Sequence, residues 1–186
     1  MLSTKQPNIL STKQLTLCAM LTALALGLSY LENFFPLTAI VPLPGVKLGL
    51  ANIVTLFALY ALGTVPAWMI LIARCFLGAV FAGNLNALIF SIMGGACAMG
   101  LMSILSRRGK LSVYGVSTGG AAAHNCGQIA AAVLTLGNSG PVWYLPFLLG
   151  ASLFTGMLTV LIGVCLFRAL NAAGIMETHM QTQRTD

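Results

Sequence analysis

Residues 65–106 read VPAWMILIARCFLGAVFAGNLNALIFSIMGGACAMGLMSILS and carry one charged side chain, Arg74. A soluble helix pair cannot be so poor in charge, because its outward faces must meet water. A bilayer core about 30 Å thick, by contrast, asks for about 20 apolar residues per crossing helix. The stretch supplies two such helices, Val65 to Ala82 and Leu85 to Ser106, divided by the turn residues Gly83 and Asn84. The fold class expected from it is all-α and integral to a membrane.

The same pattern extends in both directions. Of 186 residues, 58% are hydrophobic and 6% charged, with a mean hydropathy of +0.94, so no soluble domain of useful size fits beside the membrane helices. A first helix is expected over about Gln14 to Leu31. The segment Glu32 to Val46 then breaks the run with Pro36, Pro42, Pro44 and Gly45 and is read as an outside or re-entrant loop. A second helix follows over about Lys47 to Leu62 and ends at a turn around Gly63. Beyond the fourth helix stands the one dense charge cluster, Arg107, Arg108, Gly109 and Lys110, and then a fifth helix over about Leu111 to Leu136. Gly137 to Pro141 form the next turn, and a sixth helix covers about Val142 to Leu170. The chain therefore divides into an N-terminal segment 1–13, a six-helix membrane domain 14–171 and a polar tail 172–186.

Orientation follows from basic residues, which are retained on the cytoplasmic side of short loops. With an even number of spans both termini share one side. If that side is the cytoplasm, it holds Lys5, Lys13, Arg107, Arg108, Lys110, Arg168 and Arg184, and the outer side holds Lys47. This count places both termini inside and explains the formal charge of +6 without invoking nucleic acid. No small-residue cleavage site follows the first apolar run, so it is read as a retained helix and not a signal peptide. The cysteines Cys18, Cys75, Cys97, Cys126 and Cys165 stand singly in apolar runs and are expected to be buried small hydrophobes.

Polar side chains at membrane depth are costly unless paired or wetted, which makes each one a candidate site residue. Arg74 lies about eight residues, hence about 12 Å, below the outer end of the third helix. His124 and Gln128 share a face of the fifth helix four residues apart, with Asn125 beside them. Asn52 lies near the outer end of the second helix, and Asn84 and Asn86 open the fourth. Glu32 and Lys47 flank the first loop at a similar level. On the chosen topology these groups converge on the outer half, lining a cavity suited to a small polar or anionic molecule. The bland alternatives are interhelical glue for the amides and snorkelling for Glu32 and Lys47. Burial is most expensive for Arg74 and His124, so a ligand role is weighted to them.

Small residues make a second pattern. Gly115, Gly119, Ala123 and Gly127 recur every four positions in the fifth helix and suit internal packing. Ala19, Ala23 and Gly27 do the same in the first, near its cytoplasmic half, where they suit either packing or a partner helix. Gly94 and Gly95 are expected at a close crossing or kink of the fourth helix.

Chemistry is sparse. A single aspartate, Asp186, cannot build the clustered carboxylates that hold magnesium in prenyl-diphosphate synthases. No phosphate loop ends in Gly-Lys-Ser or Gly-Lys-Thr, and two histidines with two glutamates, widely separated, offer no triad or metal site. The expectation is a protein without catalysis, metal or cofactor, devoted to binding or passage.

PGVKLGLANIVTL at 44–56, preceded by LENFFP at 31–36, resembles the membrane family of heptaprenyl diphosphate synthase component I, also called Gx transporters. The likeness continues through Gly83-Asn84 and through Ala123-His124-Asn125-Cys126-Gly127-Gln128, and covers about Leu15 to Leu170. That family is similar to the six-helix S components of energy-coupling factor vitamin transporters. The resemblance implies a substrate-binding subunit that captures its ligand from outside and hands it to a transmembrane coupling protein and an ATPase pair. It also implies that Ala19 and Ala23, matching an Ala-x-x-x-Ala stripe, dock that partner. The alternative is a non-catalytic membrane accessory subunit partnered with a prenyl synthase for polyprenyl or quinone synthesis. A stand-alone carrier is a third class, disfavoured because no carboxylate is expected at membrane depth for proton coupling.

Overall fold

In the computed structural model of the protein, the described residues are 12–32, 49–109 and 111–172. Lys47, the Pro-rich stretch from Phe35 to Gly45 within the expected outside or re-entrant loop, the 1–11 part of the N-terminal segment and the 173–186 part of the tail lie outside them. Among the described residues six α-helices follow one another: α1 Thr12–Leu31, α2 Asn52–Ala61, α3 Thr64–Ala82, α4 Leu85–Arg108, α5 Val113–Leu136 and α6 Leu145–Ala172. A 3-10 turn, Gly140–Tyr144, precedes α6.

Most helix limits agree with the sequence reading to within a few residues, because the stop signals are local. Gly83, Gly109 and Gly137 end α3, α4 and α5 in the left-handed conformation. At the other ends, the Asn84 side chain accepts from the Asn86 N–H at 2.9 Å and the Ser112 hydroxyl from the Gly115 N–H at 3.3 Å. α6 starts three residues later than expected, with Pro146 in its first turn, where a missing N–H costs nothing.

The outward faces are apolar. Along α6, Leu153, Phe154, Met157 and Leu161 are exposed, and Phe76, Val80 and Phe81 are exposed on α3. A water-soluble bundle would turn polar residues outward. α1, α3, α4 and the stretch Gly140–Cys165 are long and apolar enough to cross a membrane, which is the architecture of a multi-pass membrane protein. α5 is as long as α4 but carries Ser117, Thr118, His124, Asn125 and Gln128.

The largest departure is α2. The sequence suggested 16 residues, Lys47 to Leu62; the helix has ten, Asn52–Ala61. Gly49, at φ +86, interrupts the helical path, and the next residues form a single turn, with Asn52 N–H donating to the Gly49 carbonyl at 2.8 Å and Ile53 N–H to that of Leu50 at 3.0 Å. Every residue from Asn52 to Leu59 is buried, and α2 packs against α1, α3, α4 and α6. A helix apolar on all sides belongs in the middle of a bundle. At about 1.5 Å per residue it is about 15 Å long, half a bilayer core.

α4 and α5 make the most extensive helix contact. A β-carbon at Gly127 would lie 2.5 Å from the Met93 carbonyl oxygen and 2.9 Å from the Gly94 Cα. The close crossing expected at Gly94 therefore exists, and the Gly127 end of the α5 stripe packs internally as read.

The cysteines divide. Cys18 and Cys75 are buried, whereas Cys97, Cys126 and Cys165 are exposed on the outside of the bundle. The expectation of uniform burial fails because hydrocarbon solvates a thiol about as well as a protein core does, so apolar character does not force such a residue inward.

Candidate functional site

The start of α2 is where buried polar groups from three other segments gather. Its first residue, Asn52, offers its side-chain oxygen to Arg74 Nη2 on α3 at 2.9 Å. Asn52 and Arg74 stand eleven positions before and after Gly63 (63 − 52 and 74 − 63), so the antiparallel α2–α3 pair brings them level, about 16 Å from the connecting turn. Arg74 is 7% exposed, and its Nε–H has no hydrogen-bond partner among the described residues.

Glu32, just past the end of α1, accepts a hydrogen bond from the Leu50 N–H, in the turn that opens α2. Its carboxylate is within electrostatic range of the Arg74 guanidinium. At 5% exposure it does not snorkel, and it is a buried carboxylate where the sequence reading expected none. The cause is tertiary: a helix start leaves N–H groups unsatisfied, and here a carboxylate from another helix meets one.

From α5, the His124 ring fills the space between two glycines. A β-carbon at Gly49 would stand 3.2 Å from its Cδ2, and one at Gly94 would stand 2.8 Å from its Cε1. Gln128, 1% exposed, lies one turn further along, its Cγ 3.0 Å from the same point at Gly94. At Gly95 a β-carbon would lie 3.4 Å from Arg74 Nη2. Glu32, Asn52, Arg74, His124 and Gln128 thus form one buried group, with glycines of α4 and of the α2 turn admitting the larger side chains.

Three other sequence candidates are placed elsewhere. Asn125 is buried, but its Nδ2 donates to the Leu148 carbonyl at 2.7 Å, tying α5 to α6. Asn84 and Asn86 are exposed at the start of α4, the former as its cap. Lys47 lies outside the described residues. Sequence reasoning missed Gly49 and the Leu50 N–H. An isolated glycine in an apolar run marks a close approach or a break, and that was the available signal.

Ala19 and Ala23 are exposed. They line an open groove of about 350 Å³ between α1 and α3, with Thr22, Met69, Ala73 and Leu77 on its walls. The groove is almost wholly apolar.

Against this geometry, the sequence model of the family described as Heptaprenyl diphosphate synthase component I matches residues 21–166, which takes in every member of the buried polar group. No curated protein and no solved structure matches the chain.

Proposed function

The chain belongs to the heptaprenyl diphosphate synthase component I family, and on that premise we propose that it is the substrate-binding membrane subunit of an energy-coupling-factor-type importer. In this reading it sits in the bacterial cytoplasmic membrane as a six-helix bundle with both termini in the cytoplasm. It takes a small polar or anionic molecule at the buried group around Arg74 and His124. One observation carries the reading: α2 is a half-length helix whose N-terminus lies against a buried arginine, histidine and two amides. Interrupted helices that aim their N-termini into a bundle at membrane depth are a recurring way to bind polar solutes, because the break supplies donors that lipid cannot.

Chemistry follows from the residues. Arg74 supplies charge-assisted hydrogen bonds, His124 a donor and an acceptor, and Asn52 and Gln128 orienting amides. The proposed role is binding and not catalysis. The open α1–α3 groove supports a docking role for Ala19 and Ala23, since small exposed side chains let another helix approach closely. The partner in this reading is a coupling protein with two ATPases.

The family's description favours a second reading, a non-catalytic membrane accessory subunit of polyprenyl diphosphate synthesis. A mild-detergent pull-down from native membranes, with mass spectrometry of proteins and small molecules, separates the two. Recovery of a coupling protein with paired ATPases supports the importer. Recovery of a prenyl synthase without them overturns it in favour of the accessory subunit.

A further inference from the structure

The ligand-binding reading leaves open what chemical group the site holds, and Glu32 bears on that. Its carboxylate is already seated where a bound anion would be: it accepts from the Leu50 N–H at the opening of α2. The N-terminus of a helix carries about half a positive charge. Beside it stands Arg74, more than nine-tenths buried, with one N–H donor unmatched among the described residues and another held by Asn52. Together these groups present roughly one and a half positive charges to one negative one. The cradle therefore suits a single carboxylate, and its surplus of donors remains after Glu32 is in place.

The geometry points to a carboxylate-exchange site: Glu32 is a tethered competitor that occupies the position taken by the carboxylate of a small organic acid, with the Leu50 N–H as the recognising donor and the buried Arg74 guanidinium as the neighbouring cation. This rests on the ligand-binding reading above and narrows its substrate class to carboxylate-bearing molecules. A phosphate fits less well, since a dianion with three acceptor oxygens would bring more charge than Glu32 gives up. Tethering gives Glu32 a high effective concentration, so a simple acid cannot displace it and only a ligand with further contacts to the bundle can. Removing the tethered carboxylate should uncover the cradle for a free one.

The test is chemical rescue. Purified Glu32→Ala protein in detergent is melted with increasing sodium acetate, against sodium chloride at equal ionic strength and against sodium phosphate. The variant should melt below the wild type and regain about 3–6 °C when acetate reaches about ten times its half-saturating concentration. Wild-type protein should not respond. Glu32→Gln, which keeps volume and an acceptor but no charge, should respond in the same direction and keeps the test open if the alanine variant does not fold. The Glu32→Ala, Arg74→Gln double variant should lose the response. Absence of an acetate-specific shift in both single variants overturns the inference, as does phosphate matching or exceeding acetate. Persistence in the double variant overturns the role of Arg74. Rescue without ATPases in the native pull-down would keep the cradle and remove the importer; ATPases without rescue would do the reverse.

Discussion

Ala73 and Arg74 are consecutive on α3, about 100° apart around the helix, and they belong to different worlds. Ala73 lines the open, apolar groove shared with Ala19 and Ala23. Arg74 is buried in the polar group with Asn52, near Glu32. The groove is apolar and accessible; the group at α2 is polar and closed. In a membrane protein the two faces solve opposite problems. An apolar groove is at no disadvantage in lipid and is recognised only by shape, whereas a polar group must be complete within itself or be completed by a solute. α1 likewise contributes to both, with Ala19 and Ala23 to the groove and Glu32, just past its end, to the polar group. In the proposed reading, partner contact and ligand contact fall to the same two helices, which would offer a mechanical route for one to influence the other.

The sharpest way to break this division is Arg74→Ala. It removes the buried cation that holds the Asn52 side chain and should cost about 1.5–3 kcal/mol, read by thermal unfolding in detergent. It should also eliminate the small molecule recovered in the pull-down. Unchanged stability together with unchanged recovery would show that the polar group is not the site.

Gly94→Ala comes next. The added carbon would press on both His124 and Gln128, and an expected loss of about 1–3 kcal/mol should be accompanied by impaired ligand capture with partner docking intact. If docking fails as well, the two regions are coupled more tightly than a shared helix requires. Asn84→Ala removes a helix cap and should cost about 1 kcal/mol with ligand capture unchanged. A fall in capture would extend the site to the start of α4.

The smallest stability effect belongs to the groove. Ala19→Leu with Ala23→Leu should change stability by no more than about 0.5 kcal/mol, because both side chains face outward, yet abolish copurification of the partner. A large destabilisation would mean that the stripe packs within the bundle, and a surviving partner would mean that docking lies elsewhere.

Much of the polar group was legible before any coordinates. Arg74, His124, Gln128 and Asn52 stand out because each is a strongly hydrated group in a run that otherwise belongs in lipid, and membrane burial forces such groups toward one another. Asn125 and Asn84 looked equivalent and are not. An amide can serve a cap or a neighbouring helix's carbonyl as readily as a ligand, and nothing in spacing distinguishes these uses. Glu32 was undervalued because position at a helix end suggests snorkelling, and only its distant partners bury it.

The sequence by itself determined the all-helical membrane class, the order of six helices, and the stops at Gly83, Gly109 and Gly137, because bilayer solvation and backbone conformation act locally along the chain. Tertiary structure alone decided that α2 is a half-helix, that Glu32 meets its exposed N–H, that His124 fits between Gly49 and Gly94, and that Ala19 and Ala23 face outward. Each of these depends on contacts between residues far apart in the chain, where a glycine's missing β-carbon or a carboxylate's reach matters only once another helix has arrived.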